Sequence, residues 1–210
     1  MPILLCSADP REIDVSQLKH PSLGLVYRPV GVGLVAASAG ITRALQELRP
    51  RAVVLVGSCG VFPSQNIPLH TLVVGQHFFL LDEGLSQQSA ELPQQIPQGV
   101  SVASRLAEDL FKHSGAKNKV RVGCTLGITT SDSRAHVLEA SGCEVENLEG
   151  YSLAVACAQE NIPFAALFVV SNRVGKEGRS AWQKHHAAGA HMCRRAIEQW
   201  LNQGNVSTIL

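Results

Sequence analysis

The chain has 210 residues, 45% of them apolar and 17% charged, with a net charge of +1; it is long enough for one domain with a substantial core and too apolar for disorder. Near-neutral charge and only 5% aromatic residues exclude the basic, aromatic-lined groove of a single-strand nucleic-acid reader, and no apolar run reaches the length of a membrane span.

In chain order, residues 2–8 read as a buried strand closed by Asp9-Pro10. Residues 23–27 form a second apolar run, Gly31-Val32-Gly33 makes a turn, and residues 35–48 carry apolar positions at helical spacing up to Arg49-Pro50. Ala52-Val53-Val54-Leu55-Val56 suits a strand buried on both faces and stops at Gly57-Ser58-Cys59-Gly60. Residues 72–81 predict another strand, and residues 84–99, rich in Gln, Pro and Ser, a long loop. A helix over 100–113, a strand over 120–130 and a helix over 132–140 follow. The remainder reads as a strand near 143–146, a helix over 149–160, a strand over 164–171, a last helix over 179–201 and a tail over 202–210. Strands alternating with helices predict one α/β domain over residues 1–201, a three-layer α/β/α sandwich with a central mixed sheet.

The six cysteines (Cys6, Cys59, Cys124, Cys143, Cys157 and Cys193) form no Cys-x-x-Cys pair and sit mostly in apolar runs. They read as small buried hydrophobes in a reducing compartment. The run over residues 1–8 is too short for a signal-peptide core and lacks a basic flank, so a cytoplasmic protein without membrane partners is expected.

Gly31-Val32-Gly33 resembles a dinucleotide fingerprint, but the next strand ends in glycine and serine rather than in the acidic residue that holds a ribose. A tight turn with close packing is the better reading. His185 and His186 stand six and five residues from His191, whereas helical ligands meet at three or four; a solvated helix face is expected, and no metal. His77, Phe78 and Phe79 suit a site wall, a subunit interface or core packing equally.

Four polar residues are placed differently. Glu12, Ser58 and Asn172 each follow or end an apolar strand, and Glu149 opens the helix leading to the Asn172 strand. Each alone has an ordinary explanation: a first-turn carboxylate, a turn former, a helix-start acid, a cap. Together they fall at one sheet edge, where α/β proteins bind ligands. A carboxylate that can accept from vicinal hydroxyls, beside an amide that can read a purine edge, suits a nucleoside. No Gly-x-Ser-x-Gly elbow surrounds Ser58, which therefore is not read as a hydrolase nucleophile.

At these residues the chain resembles the nucleoside phosphorylase and nucleosidase superfamily. Ile3-Leu4-Leu5-Cys6-Ser7-Ala8 leading to Glu12 is similar to that family's first strand and catalytic glutamate. Gly31-Val32-Gly33 and Val56-Gly57-Ser58-Cys59-Gly60 resemble its two glycine turns, and Glu146-Asn147-Leu148-Glu149-Gly150 its ribose clamp, with Leu148 in place of a methionine. Ser171-Asn172 stands where many members have Ser-Asp. Thr129-Thr130-Ser131-Asp132, Ser171-Asn172-Arg173-Val174-Gly175 and Arg179-Ser180-Ala181-Trp182 resemble the futalosine hydrolase subgroup in particular.

The resemblance implies a homodimer or higher homo-oligomer that cleaves a purine nucleoside without cofactor. Glu12 is expected to activate the attacking group and Asn172 to hold the purine; Gly57, Ser58, Leu148 and Glu149 are expected to bind substrate. Members using phosphate carry an arginine where this chain has Leu55, and an aliphatic side chain cannot fork onto a phosphate. Water is therefore the expected acceptor, and Asn172 in place of an acid suits a 6-oxopurine such as hypoxanthine. The implied activity is hydrolysis of futalosine, in menaquinone biosynthesis. The alternatives are a methylthioadenosine or adenosylhomocysteine nucleosidase, a phosphorylase employing Arg11, and a non-catalytic nucleoside-binding protein.

Overall fold

Strand β1 (Ile3–Ser7) is fully buried and pairs in parallel with β2 (Leu25–Pro29) on one side and with β3 (Ala52–Val61) on the other. The computed structural model describes residues 1–16, 18, 23–102 and 105–206. The remaining strands are β4 (Leu72–Leu80), β5 (Gly99–Ser101), β6 (Asn118–Cys124), β7 (Val145–Asn147) and β8 (Phe164–Arg173). They complete an eight-stranded mixed sheet. β3 pairs in parallel with β8, β8 antiparallel with β4, β4 in parallel with β6, and β6 in parallel with β7. β7 returns antiparallel to β3 at Gly60 and Val61, so five strands close into a ring. The α/β sandwich read from the sequence is thus present, with its sheet curled shut at the end that carries the polar residues.

The helices are α1 (Gly33–Leu48), the short α2 (Glu83–Ser86), α3 (Arg105–His113), α4 (Asp132–Glu139), α5 (Gly150–Gln159) and α6 (Gly178–Gln203). Two layers flank the sheet because side chains alternate along each strand. Val169 of β8 faces α6, where a Cβ on Gly189 would meet it at 2.9 Å. On the alternate face Phe164 and Phe168 meet the buried Phe78 ring, which lies beneath Gly150 at the start of α5. α1 packs against α5 and is tied to it by the Ser152 hydroxyl, which donates to the Leu34 carbonyl at 2.8 Å. α3 packs against α6, where the buried Trp200 indole donates to the Asp109 carboxylate. The six cysteines are buried free thiols, and no helix among the described residues is long and apolar enough to cross a membrane.

Several boundaries differ from the sequence reading. β3 does not stop at Val56 but runs through the glycines to Val61, with a register irregularity at Cys59/Gly60 that bends it toward β7. The start of the expected helix over 100–113 is instead the edge strand β5, paired antiparallel with His77–Phe79; residues 103 and 104 lie outside the described residues. Cross-strand pairing there overrides local pattern. Just before the expected loop, Asp82 caps α2, which runs into it, by accepting from Gly84 and Leu85. The expected tail begins two residues late: α6 extends to Gln203, and Val206 is buried in the core. Phe78 belongs to that core, and His77 pairs with the Ser101 hydroxyl.

Candidate functional site

Glu12 is positioned by a capping box written in Asp9-Pro10-Arg11-Glu12. Asp9 accepts the Arg11 amide at 2.8 Å, Pro10 starts a 3-10 turn over Pro10–Glu12, and the Glu12 carboxylate reaches back to the Asp9 amide. The same carboxylate reaches across to β3. Its Oε1 accepts from the Ser58 amide at 3.2 Å and from the Ser58 hydroxyl at 3.1 Å, while Oε2 accepts from the Ala8 amide at 3.1 Å. Burial pushes the Glu12 acid up from its ordinary range, and the surrounding donors offset part of that rise. A Cβ on Gly57 would stand 3.1 Å from both Glu12 oxygens. Gly57 thus leaves room for the carboxylate.

Glu149 sits between β7 and α5 and is 5% exposed. Its Oε1 accepts the Gly33 amide at 2.8 Å, presented by a glycine at φ +82° that opens α1. Its Oε2 accepts from the Asn147 side chain at 3.0 Å. Asn147 is the joint of this corner: its Oδ1 accepts the amides of Glu149 and Gly150, and its Nδ2 also donates to the Ser58 carbonyl. Burial, with the charge of Glu12 next, pushes Glu149 up to about 7.

Asn172 lies near the end of β8. Its Oδ1 accepts from the Ser171 hydroxyl at 2.8 Å and its Nδ2 donates to the Arg173 carbonyl at 3.0 Å. One amide proton and one Oδ1 lone pair remain for a ligand. A Cβ at Gly60 would stand 2.8 Å from Nδ2 and one at Gly178 3.1 Å, so two glycines make the amide's berth.

Glu12, Ser58, Leu148, Glu149 and Asn172 all line one cavity of about 390 Å³, the lower end of the range for small-molecule sites. Gly57, expected among the substrate contacts, does not line it and acts beneath Glu12 instead. The sequence reading missed Asn147, Glu146, Gly33 and Trp182 as site residues. Trp182 donates its indole N–H to the Ser58 hydroxyl at 2.9 Å, and its ring stacks on His186 at 5.0 Å between centroids. His185 meets His70 edge-on at 4.9 Å. His185 and His186 therefore pack against neighbouring rings, whereas His191 is exposed, as expected of all three. The capping box before Glu12 was a local signal for that residue's placement; for Trp182 only its inclusion in the resembling segment pointed to the site.

The cavity is acidic. Arg11 forks onto Asp9 at 2.9 and 2.8 Å, holds that acid down to about 2, and lies over the Trp182 ring at 5.7 Å. Leu55 is in the core and does not line the cavity.

Residues 17–201 match the profile of the Phosphorylase superfamily. The chain belongs to the phosphorylase superfamily. A futalosine hydrolase of Streptomyces coelicolor is 26% identical over 191 residues, 83% of this chain and 81% of that protein. A 5'-methylthioadenosine/S-adenosylhomocysteine nucleosidase of Psychromonas ingrahamii is 23% identical over 189 residues, 83% and 79% of the two chains. The solved structure of a futalosine hydrolase mutant of Helicobacter pylori superposes with a TM-score of 0.85 at 15% identity, covering 96% of this chain and 99% of that one. This phosphorylase-superfamily chain thus shares its fold with nucleosidases over nearly its whole length.

Proposed function

We propose that the protein hydrolyses the N-glycosidic bond of a 6-oxopurine nucleoside, with futalosine as substrate and hypoxanthine as the released base. The observation that carries this reading is the pairing of two carboxylates, the half-buried Glu12 and the buried Glu149, in a cavity whose base end holds an amide, Asn172.

Cleavage of a nucleoside develops positive charge on the sugar. Two carboxylates that repel each other gain most when that charge appears between them, so their stabilisation is larger in the transition state than in the ground state. Glu149, fixed through both oxygens by Gly33 and Asn147, keeps lone pairs for the ribose hydroxyls. Glu12 takes a proton from the attacking water as general base, with the Ser58 amide and hydroxyl holding its orientation. Leu148 packs against the sugar, and Asn172 donates its remaining N–H to the O6 edge of the purine.

Water is the acceptor in this reading for electrostatic reasons. A phosphate dianion would meet Glu12 and Glu149; of the two arginines that line the cavity, Arg11 is already neutralised by Asp9, which leaves the exposed Arg179 against both carboxylates. A second reading, a methylthioadenosine or adenosylhomocysteine nucleosidase, is favoured by the Psychromonas relative, which matches an equal share of the chain at nearly equal identity. Incubation with futalosine, inosine and methylthioadenosine, with and without phosphate, separates the readings by the base and sugar products formed.

A further inference from the structure

Arg179 is a charged residue of the cavity for which neither the fold nor the mechanism above has a use. It lines the cavity, is exposed, and makes no ion pair among the described residues. The basic residues around it are engaged. Lys176 lies 4.0 Å from Asp132, Arg173 donates to the Pro63 carbonyl at 3.2 Å, and Arg11 forks onto Asp9. Arg179 stands in the first turn of α6, where a cation opposes the helix dipole. Helix stability therefore does not account for it.

The cavity has three corners. Asn172 marks one, and Glu149 with Leu148 a second. The third lies where α6 packs on the turn after β1, with Trp182 and Gln183 from the helix facing Asp9 and Arg11. A nucleoside leaves its sugar in three directions as well. With the purine at Asn172 and the 2' and 3' hydroxyls at Glu149, the 5' carbon faces the third corner. Trp182 is held there by its hydrogen bond to Ser58, by stacking on His186 and by Arg11 over its ring. Arg179 and Gln183 are four positions apart and share one face of α6, so the guanidinium stands one helical turn, about 5 Å, along the path of a substituent leaving the sugar past the indole.

Charge decides what that substituent is. Once Asp9 and Arg11 cancel, Glu12, Glu146, Glu149 and Arg179 are the charged residues left along the cavity. One negative charge beside Arg179 is balanced, whereas a dianion leaves an excess facing the carboxylates. We propose that the α6 corner is a subsite for a carboxylate carried on the substituent of the substrate's 5' carbon, and that Arg179 selects it. A planar carboxylate matches the guanidinium fork. The proposal rests on the nucleoside reading and deepens it by naming the charge of the part that does not react. Arg179 determines specificity and takes no part in bond breaking.

The test compares kcat/KM, read as hypoxanthine release, for 5'-O-carboxymethylinosine and its neutral 5'-O-carbamoylmethyl isostere. The charge in this pair lies several bonds from the sugar, so intrinsic reactivity is matched. The wild type should favour the carboxylate about tenfold at low salt, and added salt should shrink the ratio. Arg179→Gln should bring the ratio close to one, and Arg179→Glu should invert it. A wild-type ratio near one overturns the proposal whatever the variants do. So does an equal fall for both substrates in Arg179→Gln, which would place the guanidinium at the base or the sugar. Inosine 5'-monophosphate cleaved faster than the carboxylate overturns the choice of a single charge. A wild type that cleaves none of these nucleosides overturns the nucleoside reading itself; one that cleaves both isosteres alike overturns only the role of Arg179.

Discussion

Both the backbone amide and the hydroxyl of Ser58 donate to one oxygen of Glu12, at 3.2 and 3.1 Å. The two residues are 46 positions apart and come from β3 and from the turn after β1, strands that run in parallel and end at the same edge. Ser58 therefore acts on the carboxylate, and the carboxylate on whatever occupies the cavity.

Glu12→Gln keeps the size of the side chain and removes its basicity. Steady-state kinetics should show kcat reduced by about 10²–10⁴-fold with KM changed little. Turnover within a few-fold of wild type would take Glu12 out of the mechanism.

The indole of Trp182 can only donate, so the Ser58 hydroxyl accepts from it and directs its own proton to Glu12. Trp182→Phe keeps the ring that stacks on His186 and loses the N–H. A fall in kcat of about fivefold is expected, corresponding to about 1 kcal/mol for one hydrogen bond. In a Ser58→Ala background the same change should have almost no further effect, which a double-mutant cycle reads directly.

Gly57→Ala places a methyl group 3.1 Å from both oxygens of Glu12. The carboxylate must shift, and kcat should drop by more than tenfold while thermal unfolding moves by only a few degrees. Equal losses of stability and activity would mean that the strand, not the carboxylate, had yielded.

Glu149 must be ionised to meet a cationic sugar, and its acid is held at about 7 by burial and by Glu12. The acid limb of kcat/KM should therefore fall near pH 7, with activity rising as pH increases through it. Linkage has the opposite sign. A carboxyl whose folded pKa is raised favours the folded state below its unfolded value near 4.5, and that advantage is lost as pH climbs toward 7. The melting temperature of Glu149→Gln relative to wild type should accordingly rise between pH 4.5 and 7, by the equivalent of roughly 2–3 kcal/mol. A relative stability that stays flat over this range would show that Glu149 is not perturbed.

Much of this was legible in the sequence, for identifiable reasons. Buried apolar runs such as Ala52–Val56 declare strands without help from the rest of the chain, and Glu12, Ser58, Glu149 and Asn172 could be placed because each adjoins such a run. What escaped depends on contacts between distant residues. Trp182 and Ser58 are 124 positions apart, and Gly33 and Glu149 are 116 apart. Gly99–Ser101 becomes a strand only because β4 offers an edge. Asn147 stood in the ribose-clamp motif with no role of its own assigned, although its side chain makes four hydrogen bonds that hold the corner together.

The most direct measurement of the central claim is product identification after incubation with futalosine, in buffer without phosphate and in buffer with it. The account predicts free hypoxanthine and the hydrolysed sugar, dehypoxanthine futalosine, at rates that phosphate does not raise. Release of base only when phosphate is present, or cleavage of methylthioadenosine with futalosine left intact, would contradict it.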